Sequence, residues 1–122
     1  MISKELLSKV LKSELYNNKV LQFNFTSNKN IIWIRTEMAN DFEINIYELA
    51  HKCKKYAINK SFIVETSYED IIEPFGEYCI CRVYFDGDKF YDNYSEHQDY
   101  QTEPEAIFKA TSYIMEQLKQ NA

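Results

Sequence analysis

The side chains with the richest chemistry in this chain are Cys53, Cys79, Cys81, His51 and His97. Thiolate and imidazole are the usual ligands of zinc, so these five sketch a metal site. The spacing argues against one. Structural zinc sites pair their cysteines as Cys-x2–4-Cys. Here one residue separates Cys79 from Cys81, and alternate residues of a strand share a face. Cys53 falls on the apolar stripe of a helical pattern. Cysteine in such places behaves as a small hydrophobe. All three are therefore expected to be buried, unpaired and free of metal, and no cofactor is expected.

His97 stands among Glu96, Asp99 and several tyrosines. A histidine beside carboxylates can act as a general base, which would suit a small hydrolase or a nucleotide-handling enzyme. No nucleophile motif accompanies it, so a solvated loop histidine is the simpler reading. His51 lies between apolar and basic helix positions, at the edge of the core. Asp86-Gly87-Asp88 suggests a calcium loop, but the Asp-x-Asp-x-Asp-Gly spacing and the closing Glu are missing. Asp-Gly between two strands is a hairpin turn signal. With only two glycines in the chain, no glycine-rich phosphate loop can be built.

The charge is laid out unevenly. The net charge is −5, yet Glu65 to Glu105 holds 12 acids and 2 bases while residues 1–64 hold 6 acids and 10 bases. Lys52, Lys54, Lys55 and Lys60 gather on one helix, where they could touch nucleic acid. A phosphate backbone would be repelled by the acidic segment, so direct nucleic-acid binding is disfavoured. The acids of that segment interleave with Tyr68, Tyr78, Tyr84, Tyr91, Tyr94 and Tyr100. Tyrosine supplies contact area and carboxylates supply steering towards a basic protein. The candidate partner-binding residues are Glu69, Asp70, Glu73, Glu77, Asp86, Asp88, Asp92, Glu96 and Asp99.

These residues must be placed by the elements around them. Residues 102–119 carry the clearest helix pattern. Thr102 and Glu105 have the spacing of a capping box, Pro104 sits in the first turn, and Ile107, Ala110, Ile114 and Leu118 form a stripe. A first helix is expected after Ser3, stopping near Asn17-Asn18, and a second after Asn45. Alternating residues predict strands at Leu21–Phe25, Ile31–Arg35, Phe62–Thr66, Tyr78–Phe85 and Lys89–Tyr94. Thr36 to Ile44 reads equally as strand or loop, and Ser67 to Glu77 reads as a loop because of its acids and Pro74-Phe75-Gly76. The order α-ββ-α-βββ-α implies an α+β fold with a mainly antiparallel sheet packed by helices.

At 122 residues, 45% of them hydrophobic, one domain spanning 1–122 is expected, with enough core to need no disulfide or metal. No apolar run approaches the roughly 18 residues of a membrane span, and the first residues lack the core of a signal peptide. A cytoplasmic location is expected.

The helix Ile44-Asn45-Ile46-Tyr47-Glu48-Leu49-Ala50-His51-Lys52-Cys53-Lys54 and the helix Thr102-Glu103-Pro104-Glu105-Ala106-Ile107-Phe108-Lys109-Ala110 resemble segments of small uncharacterised proteins of bacterial chromosomes, phages and prophages. The resemblance covers roughly residues 44 to 118. It implies a mobile-element origin and carries no activity with it.

Two functions of different class follow. The leading one is a non-enzymatic interaction module whose acidic, tyrosine-rich side engages a basic protein surface. The other is the small enzyme built on His97 with Glu96 or Asp99, which requires those groups to converge in a pocket. A third reading is a homo-oligomer in which acidic and basic parts of neighbouring subunits meet.

Overall fold

The structure, a computed structural model, describes residues 2–38, 41–72, 75–92 and 102–120, with the side chains of 71, 72, 75 and 76 left aside. The elements run α1 Lys4–Val10, β1 Val20–Phe25, β2 Ile31–Thr36, β3 Asp41–Asn45, α2 Ile46–Asn59, β4 Phe62–Ile72, β5 Phe75–Phe85, β6 Asp88–Asp92 and α3 Glu103–Gln120. The fold is α+β with two antiparallel three-stranded sheets, β1-β2-β3 and β4-β5-β6. Two compact units share the chain, Ile2–Lys52 and the part that begins at Cys53.

In the N-terminal unit, Ser3 opens α1 as its cap: its Oγ accepts the Leu6 N–H at 3.1 Å. The helix stops at Val10, earlier than its apolar spacing suggested. Hydrogen-bonded turns carry the chain on, with the Leu15 N–H donating to Leu11 and the Asn17 N–H donating to Lys12. Tyr16 and Asn17 then take positive φ angles of 53° and 62°, a left-handed ending that asparagine accepts well. Leu6, Leu7, Leu11 and Leu15 are buried all the same, and α1 lies against β1.

The segment that read equally as strand or loop contains β3. Its Phe42 and Ile44 pair with Ile34 and Ile32 of β2, so they continue the inner face on which Ile32 and Ile34 are fully buried. Asn45 ends β3 and caps α2, its Oδ1 accepting the Tyr47 N–H at 2.8 Å.

In the C-terminal unit the expected loop at Ser67–Glu77 is instead strand at residues 67–72 and 75–77, with 73 and 74 outside the described residues. β4 and β5 are eleven residues each and pair from Phe62↔Phe85 to Ile72↔Phe75. Two of the polar residues in this stretch, Ser67 and Glu69, have a partner across the ladder. Arg82 of β5 donates to Ser67 Oγ and to Glu69 Oε2 at 3.1 and 2.9 Å. On the other face Tyr68 reaches α3, its phenol oxygen accepting the Glu103 N–H at 3.2 Å.

Paired residues of an antiparallel ladder share a face. Phe62, Val64, Thr66 and Tyr68 therefore lie with Phe85, Val83, Cys81 and Cys79 on the side that meets α3. Thr102 precedes α3. Its Oγ1 accepts the Glu105 N–H at 3.4 Å and donates to Glu105 Oε1 at 3.0 Å. The stripe expected on this helix is buried at Ala106, Ile107, Ala110 and Ile114 and half-buried at Leu118. Among the described residues no helix is long and apolar enough to cross a membrane.

Candidate functional site

The described residues of the acidic segment 65–105 fold into β4, β5, β6 and the start of α3. Asp86 and Gly87 join β5 to β6 with φ angles of 54° and 86°, the doubly positive geometry of a tight two-residue hairpin turn. Phe85 and Asp88 close it as a cross-strand pair. Asp86 and Asp88 are exposed. Neither forms an ion pair among the described residues.

The other candidate carboxylates among the described residues are dispersed. Asp70 and Glu77 are exposed and face each other near the far end of the β4–β5 hairpin. Asp86, just past the end of β5, is nine positions from Glu77, about 30 Å at a strand's rise. Glu69 and Asp92 lie on the face that carries Arg82, and both are engaged. Glu69 binds Arg82 at 2.9 Å and Asp92 binds Lys89 at 3.0 Å. The hydrogen bond that Arg82 donates to Glu69 is the main reason its guanidinium is held above its usual range; the charge of Asp92 adds to it. Glu73, Glu96, His97 and Asp99 lie outside the described residues. So does the geometry that the enzyme reading of His97 requires.

A bulge shapes the end of the sheet that carries the acidic turn. Tyr84 pairs with Lys89 but Val83 pairs with Tyr91, so Phe90 is a surplus residue in β6. The ring of Phe90 joins those of Phe62 and Phe85 at 5.9 and 6.2 Å and meets Tyr113 of α3 edge-on at 6.0 Å. Tyr91 stacks on Tyr113 at 4.1 Å. Even so, Phe85 and Phe90 remain 43% and 42% exposed. Beside them Ile58 and Ile63 are exposed too. Sequence reasoning singled out none of these as partner-binding. The signal available was phase: Ile58 falls off the α2 stripe of Cys53 and Ala57, and Ile63 alternates out of step with the buried Phe62 and Val64.

The cysteines are buried and none is in a disulfide, as their positions suggested. Burial pushes the Cys53 thiol up to about 12, partly offset by its hydrogen bond with Thr111. Burial, with the charge of Glu103 adding, pushes the Cys79 thiol up to about 11. Such thiols are poor nucleophiles at neutral pH. Among the described residues no group of three His, Cys, Asp or Glu side chains could hold a metal ion. His51 is exposed rather than at the edge of the core.

The basic cluster on α2 is thinner than its sequence suggests. Lys52 donates to Glu14 at 2.8 Å. This hydrogen bond raises the lysine above its usual range and lowers the glutamate below its own. The Lys60 ammonium sits over the Tyr56 ring, 5.7 Å from its centroid.

No protein-family model, curated protein or solved structure matches this chain.

Proposed function

We propose that this chain is a non-enzymatic interaction module that uses the acidic, aromatic end of its β4-β5-β6 sheet to bind a basic protein surface. One observation carries the reading. The exposed carboxylates of Asp86 and Asp88 flank Phe85 and Phe90, which are each more than two-fifths exposed. A merely solubilising surface has no use for half-exposed phenylalanines beside its acids, whereas an interface combines apolar contact area with charged steering. The buried thiols, none of them in a disulfide, support a cytoplasmic setting, and an origin in a phage or other mobile element belongs to the same proposal.

The test is binding of poly-L-lysine, with DNA and RNA in parallel, at low and raised salt. Poly-L-lysine should bind, and its association should slow as salt screens the charges. Replacing Asp86 and Asp88 together with Asn should slow association more than it speeds dissociation. Asp92 is left alone because Lys89 already holds it. A matched pair of neutralisations in the other unit, Asp41→Asn with Glu43→Gln, should have little effect. Equal effects from the two pairs would mean that only net charge matters. Submicromolar nucleic-acid binding that is lost when Lys54, Lys55 and Lys60 are neutralised would move the functional face to the basic residues.

A further inference from the structure

The acidic turn borders an open groove of about 430 Å³ lined by Ile58, Ile63, Tyr84, Phe85, Asp86 and Gly87. Its walls come from three elements. After α2 the Lys60 N–H donates to Ala57 and the Ser61 N–H donates to Ile58. Ser61 then turns with a φ of 71°. This tight reversal sets Ile58, at the end of α2, beside Ile63 of β4. The end of β5 adds Phe85. Ile58 is 61% exposed and Ile63 56%, a concentration of apolar surface that water does not favour. The volume lies at the small end of the ~300–1,000 Å³ range of ligand pockets, room for one large side chain and the backbone beside it. Nothing lies within 4 Å of where a Cβ would stand on Gly87, so a partner backbone has open access to the rim.

Charge selects the partner. Asp86 and Asp88 are exposed at the rim and form no ion pair among the described residues. The neighbouring cations are engaged, Lys60 over Tyr56 and Lys89 on Asp92. The rim therefore offers the Asp86 carboxylate, and the two lysines that flank the groove residues in sequence, Lys60 and Lys89, are already engaged.

We propose that this groove docks one bulky apolar side chain of a basic partner segment, with Asp86 taking the lysine or arginine next to it. This rests on the reading of the chain as a module for basic partners and names how the partner is recognised.

The probe is a short fluorescent peptide with one leucine between two lysines. One control peptide has serine for the leucine, and another has glutamates for the lysines. The leucine peptide should bind at least about threefold tighter than the serine peptide, roughly what burying one methylene contributes. The glutamate peptide should not bind. Ile58→Ser and Ile63→Ser change exposed residues, so the folded state should survive, and each should erase the advantage of leucine while leaving the charge-driven binding. Asp86→Asn should weaken both lysine peptides. Amide chemical-shift changes should gather at Ile58, Ile63, Asp86 and Gly87. Equal affinity for the leucine and serine peptides overturns the groove while leaving the basic-partner reading intact. Failure of poly-L-lysine as well as the peptides overturns both. A dimer seen by light scattering and lost in Ile63→Ser would show that a second copy fills the groove, and that overturns the proposal too.

Discussion

Asp70 and Glu77 stand directly opposite one another across the β4–β5 ladder, two exposed carboxylates at one register position. Like charges so placed repel, and opposite charges in the same geometry attract. Asp70→Lys should therefore stabilise the protein by about 0.2–1 kcal/mol. Thermal melts at low salt should show a higher Tm, and the gain should shrink as salt is added. An unchanged Tm at low salt would mean that the two side chains splay apart into water.

The α3 helix packs on β4 and β5 through fully buried Ile114. Ile114→Ala leaves a void at the sheet and should cost about 2–5 kcal/mol. Urea denaturation followed by circular dichroism measures it. A melting curve coincident with the parent's would contradict this packing.

Arg82 and Glu69 make a close but partly solvated pair, their side chains 31% and 34% exposed. Water and salt screen such pairs, so a double-mutant cycle with Arg82→Met and Glu69→Gln should give a coupling of about 0.2–1 kcal/mol. A coupling of several kcal/mol would mark the pair as desolvated.

Alkaline pH should expose the buried thiol of Cys53. Its ordinary value of 9.0 rises to about 12 in the folded state. Below pH 9 both states hold the proton, and the stabilising contribution is fully present. Between 9 and 12 the unfolded chain releases a proton that the folded chain keeps, so stability falls as pH rises. Cys79 adds a similar loss up to about 11. Between pH 9 and about 11 the urea midpoint should fall more steeply for the parent than for Cys53→Ala. Parallel slopes would show the thiol to be solvated.

What could be read beforehand depended on how local its cause was. The stripe of Ile107, Ala110 and Ile114 repeats within one helix, and Ser3 caps within one turn. Both were visible without any partner. Ser67 and Glu69 were misjudged because their polar groups are satisfied by Arg82, fifteen and thirteen positions away. The second half of β4 is thus a consequence of register. In β3 only Phe42 and Ile44 alternate inward, too few residues to set a period. Asp86-Gly87 announced its turn by residue type alone. The groove beside it was hidden because Ile58, Ile63 and Phe85 belong to three elements. Of the nine candidate acids, the six among the described residues share a charge but not a place. Asp70 and Glu77 mark one end of the hairpin, Asp86 and Asp88 the other.

The bulge in β6 has a consequence for how this chain can change length. Phe90 has no counterpart on β5, since the ladder steps from Tyr84↔Lys89 straight to Val83↔Tyr91. Excising Phe90 would leave each of those pairings intact and close the ladder into an unbroken one. The sheet thus carries Phe90 as a reversible insertion, held by its ring contacts rather than by pairing. A descendant could discard or regain an aromatic contact at the acidic end by losing or gaining a single codon. Deletions elsewhere in β5 or β6 would turn alternate side chains inside out.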